Sequence, residues 1–131
     1  MAVVADTDVV SFVFKGDTRA ALYVPHLDGH IVTISFQALA ELELWALAAQ
    51  WGARRRQQLG LHLRRYLVEH SSPALARLWA EVTDGARRKG RPIAAADAWH
   101  AATALAYGVP LVTNNPSDYA GVPGLTIISE K

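Results

Sequence analysis

Four carboxylates stand out by where they fall in the chain: Asp6, Glu41, Asp97 and Asp118. Asp6 ends the apolar run Ala2-Val3-Val4-Ala5, and Glu41 interrupts an apolar helical stretch four residues before Trp45. Asp97 is the only charge between Ile93 and Val112, and Asp118 follows Asn115-Pro116-Ser117. A carboxylate placed among apolar residues needs a partner, because burying it unpaired is costly. Three or four such groups, with no cysteine and no paired histidines, suit a hard, oxygen-seeking cation, Mg²⁺ or Mn²⁺. Phosphodiester hydrolysis is a common use of such a centre, since the ion acidifies a bound water and neutralises phosphate charge without a protein nucleophile. Thr7, Thr113 and Asn115, with Ser35 and Asn114, add hydroxyl or amide groups near these acids. Each acid also has a local alternative: Asp6 can cap the following helix in competition with Asp8, and Asp118 can cap a turn.

The elements that must gather these groups alternate in type. Ala2 to Ala5 reads as a buried strand, followed by a short helix over Val9 to Phe14 and a second from about Gly16 to Leu27 that contains Pro25. Asp28-Gly29 turns into a strand over His30 to Ile34, and Ser35 caps a helix from Phe36 to Trp51 closed by Gly52. Leu59, Leu63 and Leu67 recur every four residues, which predicts one amphipathic helix from Ala53 to Val68. A further helix spans Ala74 to Lys89, ended by Gly90, and an alanine-rich one spans Ile93 to Tyr107, ended by Gly108. Strands at Val109 to Thr113 and Leu125 to Ile128 flank a loop with one helical turn. This alternation predicts one three-layer α/β/α domain over residues 1–131, with a central parallel sheet. In such sheets the functional crevice lies beyond the carboxyl ends of the strands, where all four acids could meet.

The formal net charge of +1 hides a segregation. Residues 54–91 carry ten of the thirteen basic residues and only three acids, whereas the flanks are acidic. A basic segment beside clustered carboxylates suits a polyanionic substrate, with Arg54, Arg55, Arg56, Arg87 and Arg88 as candidate phosphate contacts. Arginine-rich helices also often do no more than solvate an outer face. With no cysteine, disulfide frameworks and thiolate metal sites are excluded. No basic leader with an apolar core precedes the first strand, so a cytoplasmic protein away from membranes is expected. The five histidines lack metal-ligand spacing, so none is assigned a role and His100 is read as packing or surface. The four tryptophans fall at helical positions and read as core or interface.

Taken in order, these pieces resemble the PIN-domain ribonucleases, and more narrowly the VapC-type toxins of toxin-antitoxin pairs. The resemblance rests on Val3-Val4-Ala5-Asp6-Thr7-Asp8, on Ile34-Ser35 with Ala40-Glu41-Leu42, on Gly90-Arg91-Pro92-Ile93 leading into Asp97-Ala98-Trp99-His100-Ala101-Ala102-Thr103, and on Leu111-Val112-Thr113-Asn114-Asn115-Pro116-Ser117-Asp118-Tyr119. It implies that Asp6, Glu41, Asp97 and Asp118 form the family's acidic quartet, with Asp6 and Asp97 as direct Mg²⁺ ligands and Glu41 and Asp118 orienting water or a second ion. It further implies an endoribonuclease acting on a structured RNA such as tRNA or rRNA, a homodimer, and a cognate antitoxin whose C-terminal segment enters the groove. Asp8, where the family more usually has Asn or Ser, and His100, where it more usually has an apolar residue, depart from the pattern.

Two other readings stay open at this level. Asp6-Thr7-Asp8-Val9-Val10 fits the opening motif of haloacid-dehalogenase-like phosphatases, although no second acidic pair follows Asp118. A catalytically silent RNA- or partner-binding module could also keep the fold, against which the intact quartet speaks.

Overall fold

The computed structural model describes residues 1–131. Five parallel strands form one sheet in the order β3-β2-β1-β4-β5. They are β1 (Ala2–Ala5), β2 (Ile31–Ser35), β3 (Leu67–Glu69), β4 (Leu111–Val112) and β5 (Ile127–Ile128). Six helices cover it: α1 (Thr7–Lys15), α2 (Ala20–Leu27), α3 (Phe36–Ala48), α4 (Ala53–Leu63), α5 (Pro73–Arg88) and α6 (Ala95–Tyr107). A 3₁₀ turn spans Pro116–Tyr119.

The alternation of side chains along β1 divides the core in two. Val3 and Ala5 join Val32, Ile34 and Val112 against α1 to α4, in a cluster that includes Tyr23, Leu42 and Leu59. Val4 and Leu111 face the other way, onto Val82 of α5 and Ala98, Ala101 and Ala104 of α6. The alanines of α6 let its backbone lie close to the sheet, so the expected α/β/α layering is present. Another close approach occurs at Gly121, where a Cβ would collide with the Arg91 carbonyl oxygen. Any side chain there would push away the segment that leads into α6.

Several expectations are corrected. The helix predicted to run to Val68 stops at Leu63, and the next residues form β3, which pairs Leu67 with Thr33 and Glu69 with Ser35. Leu59 and Leu63 are buried as the helical spacing predicts, but Leu67 is 61% exposed. The edge of β2 would otherwise present unpaired backbone groups, and satisfying them outweighs one more helical turn. Helix α3 ends at Ala48, short of Trp51; Gln50 turns the chain with a positive φ of 56°, and Gly52 caps α4 where it was expected to close α3. Helix α6 starts at Ala95, two residues later than predicted, and β2, β4 and β5 are each offset or shorter than their apolar runs.

Strand β1 lies between β2 and β4, so the chain leaves β1 toward one edge of the sheet and later returns to build the other. The crevice at such a switch point opens at the carboxyl ends of β1 and β4.

Candidate active site at the carboxyl ends of the strands

Asp6 directly follows β1 and is 6% exposed. It caps α1 through Oδ1, which accepts from Thr7 N at 2.7 Å. Its Oδ2 accepts from Thr113 Oγ1 at 2.8 Å and from Tyr119 Oη at 2.7 Å. The cap and the site are therefore compatible roles for one carboxylate. Thr113 stands immediately after β4 and also accepts from Asn115 N at 3.0 Å, which ties the loop after β4 to the end of β1.

Asp97 lies in the first turn of α6 and meets Tyr119 Oη at 3.3 Å, so this phenol bridges Asp6 and Asp97. Burial, then the negative charge of Asp6, push the Asp97 carboxyl up to about 6. Tyr119 is buried, and burial together with the charges of Asp6 and Asp97 raises its phenol well above its ordinary value, so it stays protonated and donates.

Glu41, on α3, reaches in from the other side. Its Oε1 accepts from Thr7 Oγ1 at 2.8 Å and lies 3.0 Å from His100 Nε2. Partial burial pushes the Glu41 carboxyl up, but the hydrogen bonds from His100 and Thr7 outweigh it and leave the group below its usual range. Asp118, on the 3₁₀ turn, is exposed and stands at the rim, where its charge adds to the upward pressure on Asp97.

His100, left without a role by sequence reasoning, is in the site. It is 1% exposed, lies 3.6 Å from Asp6 Oδ1 and 3.0 Å from Glu41 Oε1, and contacts Ser35 Oγ at 2.7 Å through Nδ1. Its position three residues after Asp97 on one helix was the available signal, since residues so spaced share a face. Asp8 also takes part in the cluster. Its Oδ2 accepts from Asn114 N at 3.1 Å and Asn115 Nδ2 at 2.8 Å, and burial followed by the Asp6 charge raises its carboxyl to about 6. Asp8 thus braces the β4 loop, which is a different task from the acid of a phosphatase opening motif. Tyr119, which bridges Asp6 and Asp97, carries no functional signal in the sequence.

No lysine or arginine forms an ion pair with Asp6, Asp8, Glu41 or Asp97; the imidazole of His100 is the one basic group among them. One carboxylate oxygen each from Asp6 and Asp97, together with a His100 nitrogen, lie within 4.8 Å of one another. Oxygen donors, mutual repulsion and acids pushed toward neutrality are the properties of a site that accepts a divalent cation, so these residues fit such an ion.

The candidate phosphate-binding arginines lie outside this cluster. Arg54, Arg55 and Arg56 are exposed on α4, with the Arg55 guanidinium 4.4 Å from the centre of the Trp51 ring. Arg87 and Arg88 pair with Asp84 at 2.8 and 2.9 Å on the surface of α5. Beside the acids, a groove of about 410 Å³ is lined by Thr7, Asp8, Ser11, Lys15, Glu41, Leu42 and Trp45. No helix is long and apolar enough to cross a membrane.

Comparison with known proteins agrees with this geometry. No curated protein sequence matches the chain. Among solved structures, VapBC2 from Rickettsia felis, bound to a DNA fragment from its promoter, superposes with a TM-score of 0.86 at 21% identity, covering 100% of both chains. VapBC-1 from nontypeable Haemophilus influenzae gives 0.84 at 21% identity over 98% of each chain. VapBC-5 from Mycobacterium tuberculosis, of the VapBC family of toxin-antitoxin systems, gives 0.71 at 26% identity over 98% of each chain. The PIN domain family matches residues 3–122, nearly the whole chain. With its parallel sheet, its acids gathered at the switch point and this match, the chain belongs to the PIN domain family and resembles the VapC-type toxins within it.

Proposed function

We propose that this protein is a divalent-metal-dependent endoribonuclease toxin of VapC type, hydrolysing phosphodiester bonds in a structured RNA such as tRNA or rRNA and neutralised by a cognate antitoxin. The observation that carries the reading is the Asp6 and Asp97 pair, bridged by Tyr119 Oη at 2.7 and 3.3 Å, with Glu41 beside it and no basic side chain paired to it other than His100. Asp6 and Asp97 would hold Mg²⁺ or Mn²⁺. The bound ion supplies an acidified water and offsets charge on the scissile phosphate. Glu41, ionised and fixed through Oε1, keeps its second oxygen free to orient an attacking water along the groove. Asp118 at the rim would orient water or a second ion, and Thr7, Thr113 and Asn115 hold the surrounding loops in place.

The exposed arginines of α4 and α5 are suited to the RNA backbone, and the exposed Leu44 and Leu47 of α3 suit a protein contact, either a second copy or the antitoxin. Antitoxin binding is further supported by the toxin-antitoxin complexes that the chain resembles.

The test is to incubate the purified protein and Asp97→Asn with total cellular RNA, in Mg²⁺, Mn²⁺ or EDTA, and to sequence the new 5′ ends. Discrete cuts made only by the wild type with metal are expected. No cuts from folded, antitoxin-free protein under any metal would overturn the nuclease reading in favour of a silent binding module.

A further inference from the structure

We propose that His100 is a positioning residue which donates Nε2–H to Glu41 from inside the fold, and so stands outside the coordination sphere of an ion held by Asp6 and Asp97. Distance alone allows two uses of this nitrogen: Nε2 is 3.0 Å from Glu41 Oε1 and 3.6 Å from Asp6 Oδ1. The donors and acceptors around the ring choose between them. An ionised carboxylate only accepts, so the short contact to Glu41 requires a hydrogen on Nε2. Thr7 Oγ1 already gives its single hydrogen to the same Oε1 at 2.8 Å, which leaves its 3.4 Å approach to His100 a secondary contact.

The other side of the ring accommodates the same state. Ser35 Oγ accepts Ala38 N–H at 3.1 Å, as the cap of α3, and its own hydrogen is free for His100 Nδ1 at 2.7 Å. If Nδ1 is also protonated, it donates instead to the remaining Ser35 lone pair. Ser35 thus serves either state of Nδ1, and the acceptor at Glu41 keeps the hydrogen on Nε2, which then has no lone pair to offer a metal.

The consequence is a division of labour. Ser35 at the end of β2, His100 on α6 and Glu41 on α3 are linked in series across three elements, with the middle member 1% exposed. Glu41 keeps about a third of its side chain exposed, so without this tether it is free to swing into solvent or toward the Asp6 and Asp97 pair. His100 therefore sets where Glu41 presents its free oxygen, and the ion is left to the two aspartates. The task assigned to Glu41 rests on the nuclease reading, whereas the bond itself does not.

The first measurement needs no metal and no substrate: nitrogen-15 NMR of histidine-labelled wild type at pH 7, with the His100 signals identified by their loss in His100→Gln. A protonated, slowly exchanging Nε2 is expected, and a bare Nε2 with hydrogen only on Nδ1 overturns the proposal. The second compares Mn²⁺ affinity, by electron paramagnetic resonance, with turnover in His100→Leu and His100→Gln. Because Gln can still donate to Glu41, both variants should keep Mn²⁺ affinity within about threefold, while Leu lowers kcat by about tenfold or more at unchanged KM and Gln restores most of it. A loss of Mn²⁺ affinity of about tenfold or more in both variants would make His100 a ligand and overturn the proposal. If the wild type cuts no RNA, the nuclease reading fails, and the nitrogen spectrum still decides the state of His100.

Discussion

Replacing Asp97 by Asn should make the metal-free protein more stable while removing its affinity for metal. The Asp97 carboxyl is raised from 3.8 to about 6, first by burial and then by the charge of Asp6. A shift of about two units corresponds to about 3 kcal/mol at full strength, at 1.36 kcal/mol per unit. Asp97 is only half-buried, and solvent screening reduces that to about 1 to 1.5 kcal/mol. The sign follows from linkage: a carboxyl whose folded value is raised binds its proton more tightly in the folded state, so stability is lost as pH rises from about 4 to 6 and stays lost above. At pH 7.5 in EDTA, Asp97→Asn should therefore melt about 4 to 6 °C above wild type, taking roughly 4 °C per kcal/mol for a chain of this size. At pH 5 the gap should shrink by about half, because the wild-type carboxyl is then largely protonated in the fold. Taking the difference between the two proteins cancels His62, whose imidazole burial pushes down to about 4 and which destabilises the fold as pH falls. Adding Mg²⁺ or Mn²⁺ should raise the melting temperature of the wild type only. A variant less stable than wild type at pH 7.5, or a gap that does not change with pH, would refute the electrostatic account of this site.

Apparent Mn²⁺ affinity of the wild type should fall about tenfold per pH unit below 6, because the ion competes with the proton on Asp97; calorimetric titration at pH 5, 6 and 7 checks this. Tyr119→Phe removes the donor bridging Asp6 and Asp97 and should cost about 1.5 to 3 kcal/mol in urea denaturation, the range for a hydrogen bond to a charged group. Gly121→Ala places a Cβ against the Arg91 carbonyl and should destabilise by about 1 to 3 kcal/mol, measured the same way. Changing Arg54, Arg55 and Arg56 together to Gln should weaken binding of an uncleaved RNA and flatten its salt dependence by about 0.7 for each phosphate that is no longer neutralised; an unchanged slope would place the RNA elsewhere.

Much of the site was legible because local chemistry marks it. An aspartate ending an apolar strand, a glutamate inside an apolar helix and one aspartate in an uncharged stretch are each anomalies that burial makes costly, and three of the four acids are gathered as expected. Asp118 follows β4 as predicted but stays exposed at the rim. Strand β3 was concealed by Leu67, which continues a helical spacing that the backbone of β2 overrides. His100 and Tyr119 carried little signal, because an imidazole or a phenol in an apolar run looks like packing until its partners are known.

By itself, the sequence determined the alternation of strands and helices, the layer order and which acids fall at anomalous positions, because periodicity, caps and misplaced charges are properties of neighbouring residues. The tertiary structure alone decided how those acids are held. Tyr119 reaches Asp6 across 113 residues, and His100 links Ser35 to Glu41 across separations of 65 and 59. Such contacts exist only once a parallel sheet has brought the carboxyl ends of β1, β2 and β4 to one side, and the burial that shifts Asp8 and Asp97 is created by that same packing.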